Sequence, residues 1–593
     1  MIKALLYFLT LYSLFVACSP GRRSVSDVID NLVTFLYAEK TDVELAALTQ
    51  EHILSLLSET DKKILSTRYW TFRTNVPSTV SIMRHIDQKV VPFWLRPAGF
   101  KKTAYVVKNS EYTYEVWQKQ FETGLVELGI NGFDKHRPHY FVAIAPQDSA
   151  KDLILADFYP ENQFVSTMEV GAFTYHDWDE LVIVDLPERL KGHKLLTTIR
   201  GRAREAHLIN AFRNTPFPSS QQPDQILLTW AGDPRTTQSI QWRTSMAVCD
   251  GAVEFWQDGR YIKRRKASMK VMEDRLLKND RYIYRYTAQL SGLLPGTSYT
   301  YRVGSPSQNT WSEKAEFITA PDSGAFSFIS FGDTHRSPHW GKLLDAAFQR
   351  HPDAAFFTIA GDIVSTGLYR DDWDQLFEYS RNVIRSRPFL PSLGNHDDQD
   401  GLGAWMFFDL FDLPHNGPEK LEPERAYAVE YANALFLVLD ATHPIEPQAI
   451  WMRKVLSTTK KTWKFAIFHF PPFSYEEDYP KIRATWGALF DEFHVDIVLS
   501  GHVHYYMRSK PMYDQRPVDS PADGTIYIIS IAIPNRNQQM PERDYVDVRF
   551  GGEMLYQIFD IKNNHLVYRA MNIHGDVRDE FTIEKLGAGH FSP

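Results

Sequence analysis

Short apolar runs, each ending abruptly in polar residues, dominate the second half of the chain. The runs 326–331, 355–360, 389–393, 464–468 and 495–500 have the length and continuity of buried strands. Between them, apolar residues recur at helical spacing over 342–350, 373–384, 449–457 and 482–493. Strand, polar turn, helix and strand in series predict βαβ units with parallel strands. Open α/β sheets bind ligands beyond the carboxyl ends of their strands, so all the polar ends are expected to meet on one sheet rim.

Those ends share a chemistry. They read Gly-Asp-Thr-His (332–335), Gly-Asp-Ile-Val (361–364), Gly-Asn-His-Asp (394–397), Phe-His-Phe-Pro-Pro (468–472) and Gly-His-Val-His (501–504). A lone Asp-x-His is an ordinary surface turn; the five blocks in this order carry the reading. Together they offer Asp333, His335, Asp362, Asn395, His396, His469, His502 and His504. Imidazole, carboxylate and carboxamide oxygen suit zinc, manganese or iron, and the lack of cysteine argues against a structural zinc. The groups are too many for one ion and about enough for two sharing a carboxylate. Two ions roughly 3.5–4 Å apart can hold the attacking and leaving oxygens of a displacement at phosphorus, and can lower the pKa of a bound water. His339, His351 and His494 read as surface or helix-end histidines, and Asp440, closing the run 435–439, as structural.

The rest of the chain patterns differently. Met-Ile-Lys, an apolar run over 4–17 and then Cys18 describe a secretory signal, too short for a membrane-spanning helix. Residues 19–26 read as a tether. Over 27–215, helical spacing at 28–37, 43–57 and 112–128, with no strong cap at Thr49, precedes strand-like runs at 140–145, 153–156, 181–184 and 195–199. This predicts an α+β region with its own core, in which Trp70, Trp94, Trp117 and Trp178 are buried and His136, Arg137 and His139 form a solvated loop. A proline- and serine-rich linker at 214–224 leads to short strands at sandwich spacing: 225–230, 239–244, 252–256, 282–290, 298–303 and 314–319. After the last block, 524–533 reads as a strand, and 556–561, 566–570 and 581–583 as an antiparallel set.

Composition adds three constraints. A chain of 593 residues holds several domains. A net charge of −8 argues against a nucleic-acid groove. Cys18 and Cys249 are the only cysteines, and the position of Cys18 leaves Cys249 as a free thiol.

The five blocks resemble the calcineurin-like metallophosphoesterase family over about 325–575. That resemblance implies a metal site of Asp333, His335 and His504, a second of Asn395, His469 and His502, and Asp362 bridging both. His396 would stabilise the transition state or protonate the leaving oxygen, with Asp397 orienting it. A narrower resemblance to purple acid phosphatases rests on the segment before the site. Residues 225–234 look like the start of their N-terminal domain, and Leu294-Pro-Gly-Thr-Ser-Tyr299 resembles the tyrosine corner of fibronectin type III-like sandwiches. The implied architecture is multidomain: signal 1–18, an unrecognised α+β region 27–215, a β-sandwich 222–320, and a four-layer αββα phosphoesterase core over 325–593 completed by a second, antiparallel sheet. Two departures stand out. Ser365 occupies the place of that subfamily's tyrosine and His335 is present, so a ferric-tyrosinate colour is not expected. Glu476, Glu477 and Asp478 lie where that subfamily places histidines, which leaves substrate preference open, as do residues 538–549.

The implied activity is metal-dependent hydrolysis of phosphate monoesters, acid phosphatase-like, by hydroxide activated on two divalent or trivalent ions (Fe, Mn or Zn). The alternative is a phosphodiesterase acting on nucleotides or phospholipid headgroups. An inactive surface-binding lipoprotein would lack ligands, and none is missing. Phe15-Val-Ala-Cys18 resembles a bacterial lipobox, implying export, a lipidated Cys18, a membrane anchor and, with Ser19, an outer-membrane or periplasmic location.

Overall fold

The computed structural model describes residues 23–134, 138–161, 163–175, 181–399, 402–536 and 540–585. The expected signal and lipid anchor at 1–18, together with Ser19, His136, Arg137, Trp178 and Gln538, lie outside the described residues. No helix among the described residues is long and apolar enough to cross a membrane. The chain divides into two compact units, one running to Thr198 with Ala203–Asn210, the other holding Ile199–Arg202 and everything from Ala211.

The first unit is α+β, as its pattern predicts. Helices Val25–Glu39, Asp42–Ala46, Gln50–Leu56 and Glu59–Thr67 open it. The single helix expected over 43–57 is broken in two, because Thr49 does cap: its hydroxyl accepts the His52 N–H at 3.3 Å. The helix expected over 112–128 is instead two strands, Thr113–Phe121 and Gly124–Leu128. Tyr114 and Val116 alternate inward, but Glu115 on the other face is also buried, paired with Arg84 at 2.6 Å, and this hides the two-residue period. Thr113–Phe121 sits inside a seven-stranded sheet, and Gly124–Leu128 flanks Trp70–Thr74 in a three-stranded one. Trp70, Trp94 and Trp117 are core residues. So is His139, contrary to the solvated loop expected: its Nδ1 donates to the Tyr140 carbonyl at 2.5 Å and its Nε2 meets the Tyr69 hydroxyl at 2.8 Å.

The second unit begins with the sandwich. One sheet runs in the order Asp224–Thr229, Thr237–Ser245, Tyr282–Ser291, Ser268–Glu273; the other is built on Arg260–Lys266, Ala252–Gln257 and Ser298–Ser305. Arg260–Lys266 and Ser268–Glu273 are edge strands that the pattern missed, since exposed edges carry no apolar alternation. The tyrosine corner is present: the Tyr299 hydroxyl accepts the Leu294 N–H at 2.9 Å. Trp230 leaves the sandwich to pack edge-on against Phe356, 5.3 Å between centroids, so the sandwich shares an apolar core with the block-bearing sheets.

The block-bearing region is four-layered. Its first sheet runs Phe389–Ser392, Phe357–Ala360, Phe326–Phe331, Leu555–Lys562, His565–Asn572, Val577–Glu584. The second runs Tyr427–Tyr431, Ala434–Val438, Trp463–Ile467, Ile497–Ser500, Ile526–Ile529, Tyr506–Ser509, Val546–Phe550. Two expectations are corrected here. The strands over 555–584 extend the first sheet antiparallel instead of forming the second. The five block-bearing strands, all parallel within their sheets, are split three and two between the sheets, so no single rim holds them. Phenylalanines bond the sheets face to face: Phe328 stacks on Phe356 and Phe559 and meets Phe436 and Phe465 edge-on, each pair worth about 0.5–1.5 kcal/mol beyond its buried area. Helices Pro338–Arg350 and Arg370–Ile384 cover the first sheet, and Ile445–Thr458 and Ala488–Phe493 the second.

Candidate metal centre

Each block places its polar groups in the turn that leaves a strand. Asp333 and His335 follow Phe326–Phe331, Asp362 follows Phe357–Ala360, and Asn395 and His396 follow Phe389–Ser392. His469 follows Trp463–Ile467, and His502 and His504 follow Ile497–Ser500 on the facing sheet. The block glycines make the close approach possible. A Cβ on Gly394 would lie 2.3 Å from the Asp362 backbone nitrogen, and one on Gly361, at φ +85°, would lie 2.5 Å from His469 Nδ1. Asp362 (φ 49°), His335 (φ 43°) and His502 (φ 73°) adopt left-handed backbone, a strain that concentrates at functional sites.

The donors converge in two groups joined by a third. The ligand atoms of Asp333, His335 and His504 lie within 4.8 Å of one another, as do those of Asp362, His469 and His502; those of His335, Asp362 and His396 link the two. In the first group, Asp333 Oδ2 is 3.5 Å from His335 Nε2 and 3.4 Å from His504 Nε2. Asp362 Oδ2 reaches toward both groups, 3.7 Å from His335 Nε2 and 3.2 Å from His469 Nε2. In the second, His469 Nε2 also lies 3.1 Å from Asn395 Oδ1 and 3.2 Å from His502 Nδ1. His469 Nδ1 donates to the Ala360 carbonyl at 2.9 Å, which turns the lone pair of the neutral ring, on Nε2, toward the cluster.

This donor set fits metal ions. In the second group Asp362 Oδ2, Asn395 Oδ1 and His502 Nδ1, each carrying lone pairs, all lie within 3.2 Å of His469 Nε2, an arrangement that repels itself unless a cation or a proton sits among them. Asp333 and Asp362 are buried, and Asp333 Oδ2 makes no hydrogen bond. Among the described residues, their ion-pair partners are all histidines. Burial depresses the His335 and His469 rings, but Asp333 and Asp362 outweigh it and push them up to about 9 and about 10. Protons therefore compete with metal for these rings. His504 and His396, whose side chains are 48% and 35% exposed, mark the solvent side.

The remaining candidate residues behave less as expected. His396 Nε2 is 4.0 Å from Asp362 Oδ2, and its Nδ1 donates to the Ser365 carbonyl at 2.8 Å. The acceptor on this ring is thus Ser365, not Asp397. The buried Asp397 carboxylate instead accepts the N–H groups of Ile363 (3.2 Å), Val364 (3.1 Å) and Gly394 (2.9 Å), fastening the Asp362 turn to the Asn395 turn. Asp440 is structural, accepting from Arg425 and Thr442. Glu477 is the contact that sequence reading missed: its Oε2 lies 2.7 Å from His502 Nε2. The run Glu476-Glu477-Asp478 was legible as acidic, but nothing local said which carboxylate turns inward.

Comparison with known proteins finds two family likenesses along the chain. Residues 326–506 match calcineurin-like phosphoesterase, and residues 223–319 match the N-terminal domain of purple acid phosphatases. Purple acid phosphatase 21 of Arabidopsis thaliana is 23% identical over 389 residues, 61% of this chain and 85% of that protein. The Fe(3+)-Zn(2+) purple acid phosphatase 12 of the same plant is 24% identical over 324 residues, 51% of this chain and 67% of its own. Among solved structures, the purple acid phosphatase PPD1 from yellow lupin (Lupinus luteus) seeds aligns over 88% of this chain and 93% of its own, with a TM-score of 0.55 at 14% identity, a likeness of fold.

Proposed function

We propose, from the premise that this chain is a phosphoric ester hydrolase built on a calcineurin-like phosphoesterase domain, that it hydrolyses phosphate monoesters on a dinuclear metal site. The observation that carries the reading is the pair of donor groups linked by Asp362, whose Oδ2 lies 3.7 Å from His335 Nε2 and 3.2 Å from His469 Nε2. Asp333, His335 and His504 would hold one ion, Asn395, His469 and His502 the other, and Asp362 both; iron, zinc and manganese all suit these donors. When bound, such a pair supplies a water of lowered pKa and positive charge for the phosphoryl oxygens. The chain's own part is placement. The Ser365 carbonyl fixes the His396 tautomer, so Nε2 faces the cluster from the solvent side, where it can donate a proton to a leaving oxygen in its imidazolium form. Asp397 holds the two turns that carry Asp362 and Asn395 in register. The complete donor set disfavours a silent binding role.

A second reading, phosphodiester hydrolysis, is favoured by one contact. The Glu477 carboxylate against His502 adds negative charge beside the second group, which disfavours a dianionic monoester more than a monoanionic diester. The purified full chain, loaded with each metal in turn, should cleave a nitrophenyl monoester with a higher kcat/KM than the bis-nitrophenyl diester. The opposite ratio would establish the diester reading, and no turnover of either would end both. We further propose, from the 1–18 pattern alone, that the chain is exported and anchored through Cys18; Cys18→Ser should then release it from the membrane fraction.

A further inference from the structure

The loop after the fourth block folds back over the second donor group. Pro480 starts the next helix, and the residues before it are tied down from several sides. The Ser474 hydroxyl accepts the Glu477 N–H at 3.1 Å and donates to the Glu477 carbonyl at 2.7 Å. The Tyr475 N–H donates to the Tyr505 hydroxyl, and the Tyr545 hydroxyl donates to the Ser474 carbonyl. Tyr479 stacks on Phe470, 5.0 Å between centroids, and Phe470 meets the His502 ring edge-on at 4.7 Å. The outcome is one carboxylate aimed inward: Glu477 Oε2 lies 2.7 Å from His502 Nε2 and also accepts the Tyr479 hydroxyl.

We propose that Glu477 is a positioning residue for the second metal site, acting through His502; this rests on the dinuclear reading above. An acceptor on Nε2 places the ring proton there and leaves the Nδ1 lone pair pointing at the cluster, 3.2 Å from His469 Nε2. The two imidazoles of this group are thus set by different devices. His469 has its other nitrogen on a backbone carbonyl, which no substitution removes. His502 has its other nitrogen on a carboxylate held by a loop. His502 also sits at φ 73°, a backbone conformation that few non-glycine residues adopt. An ionised acceptor raises the basicity of the ring as well as orienting it, and removing such a partner typically costs 10–100-fold in metal affinity.

The experiment is an equilibrium metal titration of the full chain, comparing the unmodified protein with Glu477→Ala and Glu477→Gln in zinc buffers, read by bound metal per chain. The unmodified protein should take up two zinc ions. Glu477→Ala should keep one binding step unchanged and weaken the other by about 10–100-fold. Glu477→Gln, isosteric and still offering an oxygen to Nε2–H, should fall between the two, and it decides the matter if the alanine variant does not fold. Turnover by either variant at limiting metal should drop in kcat and recover when zinc is raised, which a merely structural loop residue would not do. Two unchanged steps in both variants would overturn the proposal while leaving the dinuclear site standing. Fewer than two zinc ions on the unmodified protein would overturn the dinuclear reading and this proposal with it.

Discussion

Two sets of buried charges occupy the second unit, and they are neutralised in opposite ways. Where the sandwich meets helix Arg370–Ile384, carboxylates face guanidiniums. Arg243 reaches Asp374 at 2.8 Å and Asp224 at 2.6 Å, Arg370 reaches Asp280 at 3.0 Å, and Arg213 pairs with Asp274 and Asp371. At the candidate metal centre, Asp333 and Asp362 are as deeply buried, yet among the described residues their ion-pair partners are imidazoles. Burying an ion costs several kcal/mol even after relaxation. At the interface the chain supplies its own permanent cations and the result is a rigid seam. At the centre it supplies groups that can give up a proton, so the neutralising charge can come from solution. Arginine beside a carboxylate fixes structure; histidine beside one leaves room for chemistry.

The comparison breaks most visibly if the carboxylates are made neutral one at a time. Asp362→Asn should lower kcat on a monoester reporter by on the order of 10³-fold or more, because both donor groups lose their shared charge. Its thermal unfolding, compared in the presence of chelator, should move little, since the amide oxygen can still accept the His396 N–H that Oδ1 now takes at 2.9 Å. Equal losses of activity and stability would show that the centre is a structural seam like the other.

The interface should answer in reverse. Arg243→Met strands Asp374 and Asp224 and should cost about 3–5 kcal/mol in urea unfolding, with kcat per folded molecule unchanged. The double variant Arg243→Met with Asp374→Leu should recover much of that loss. Failure to recover would mean the seam contributes through more than charge pairing.

Metal removal sharpens the contrast. Chelation should abolish turnover and lower stability by about 2.7 kcal/mol for each ion lost, relative to protein held at 100 times the metal Kd, an effect of mass action on the centre. The cost of Arg243→Met, measured with and without chelator, should be the same within about 0.5 kcal/mol, as expected for groups with no shared partner.

The smallest effect lies between the two regions. Asp372 sits on the interface helix but faces Arg336, the neighbour of His335, at 3.0 Å. Burial pushes its carboxyl up to about 7, although Arg336 opposes this. The folded state therefore holds this proton more tightly than the unfolded chain does. The stabilisation is complete below the unfolded value near 4 and is lost as pH rises through about 7. Asp372→Asn should thus gain stability relative to the unmodified protein between pH 5 and pH 8, by about 2–3 kcal/mol. A difference that does not change with pH would show that Asp372 is ionised throughout.

Much of the centre was legible because each block is local. An apolar run and a candidate donor within four residues, with a glycine between them in every block but that of His469, point to both the type of side chain and the strand end that presents it, and Asp333, Asp362, Asn395, His469 and His502 all sit at such ends. The pattern failed where local signals were ambiguous. The buried Glu115 erased the alternation of Thr113–Phe121, and the exposed edge strand Arg260–Lys266 had none to show. His139, in a polar stretch, gave no sign that Tyr69 and Tyr140 would enclose it.

The sequence by itself determined the candidate donors, their order and the strands that carry them, since these depend on contacts within a few residues. Only the tertiary structure decided that three blocks come from one sheet and two from another, that Asp397 braces turns while Ser365 orients His396, and that Glu477 reaches His502. Sheet partnership and loop closure are set by residues tens to hundreds of positions apart, whose meeting depends on how the whole core packs, and no local periodicity records it.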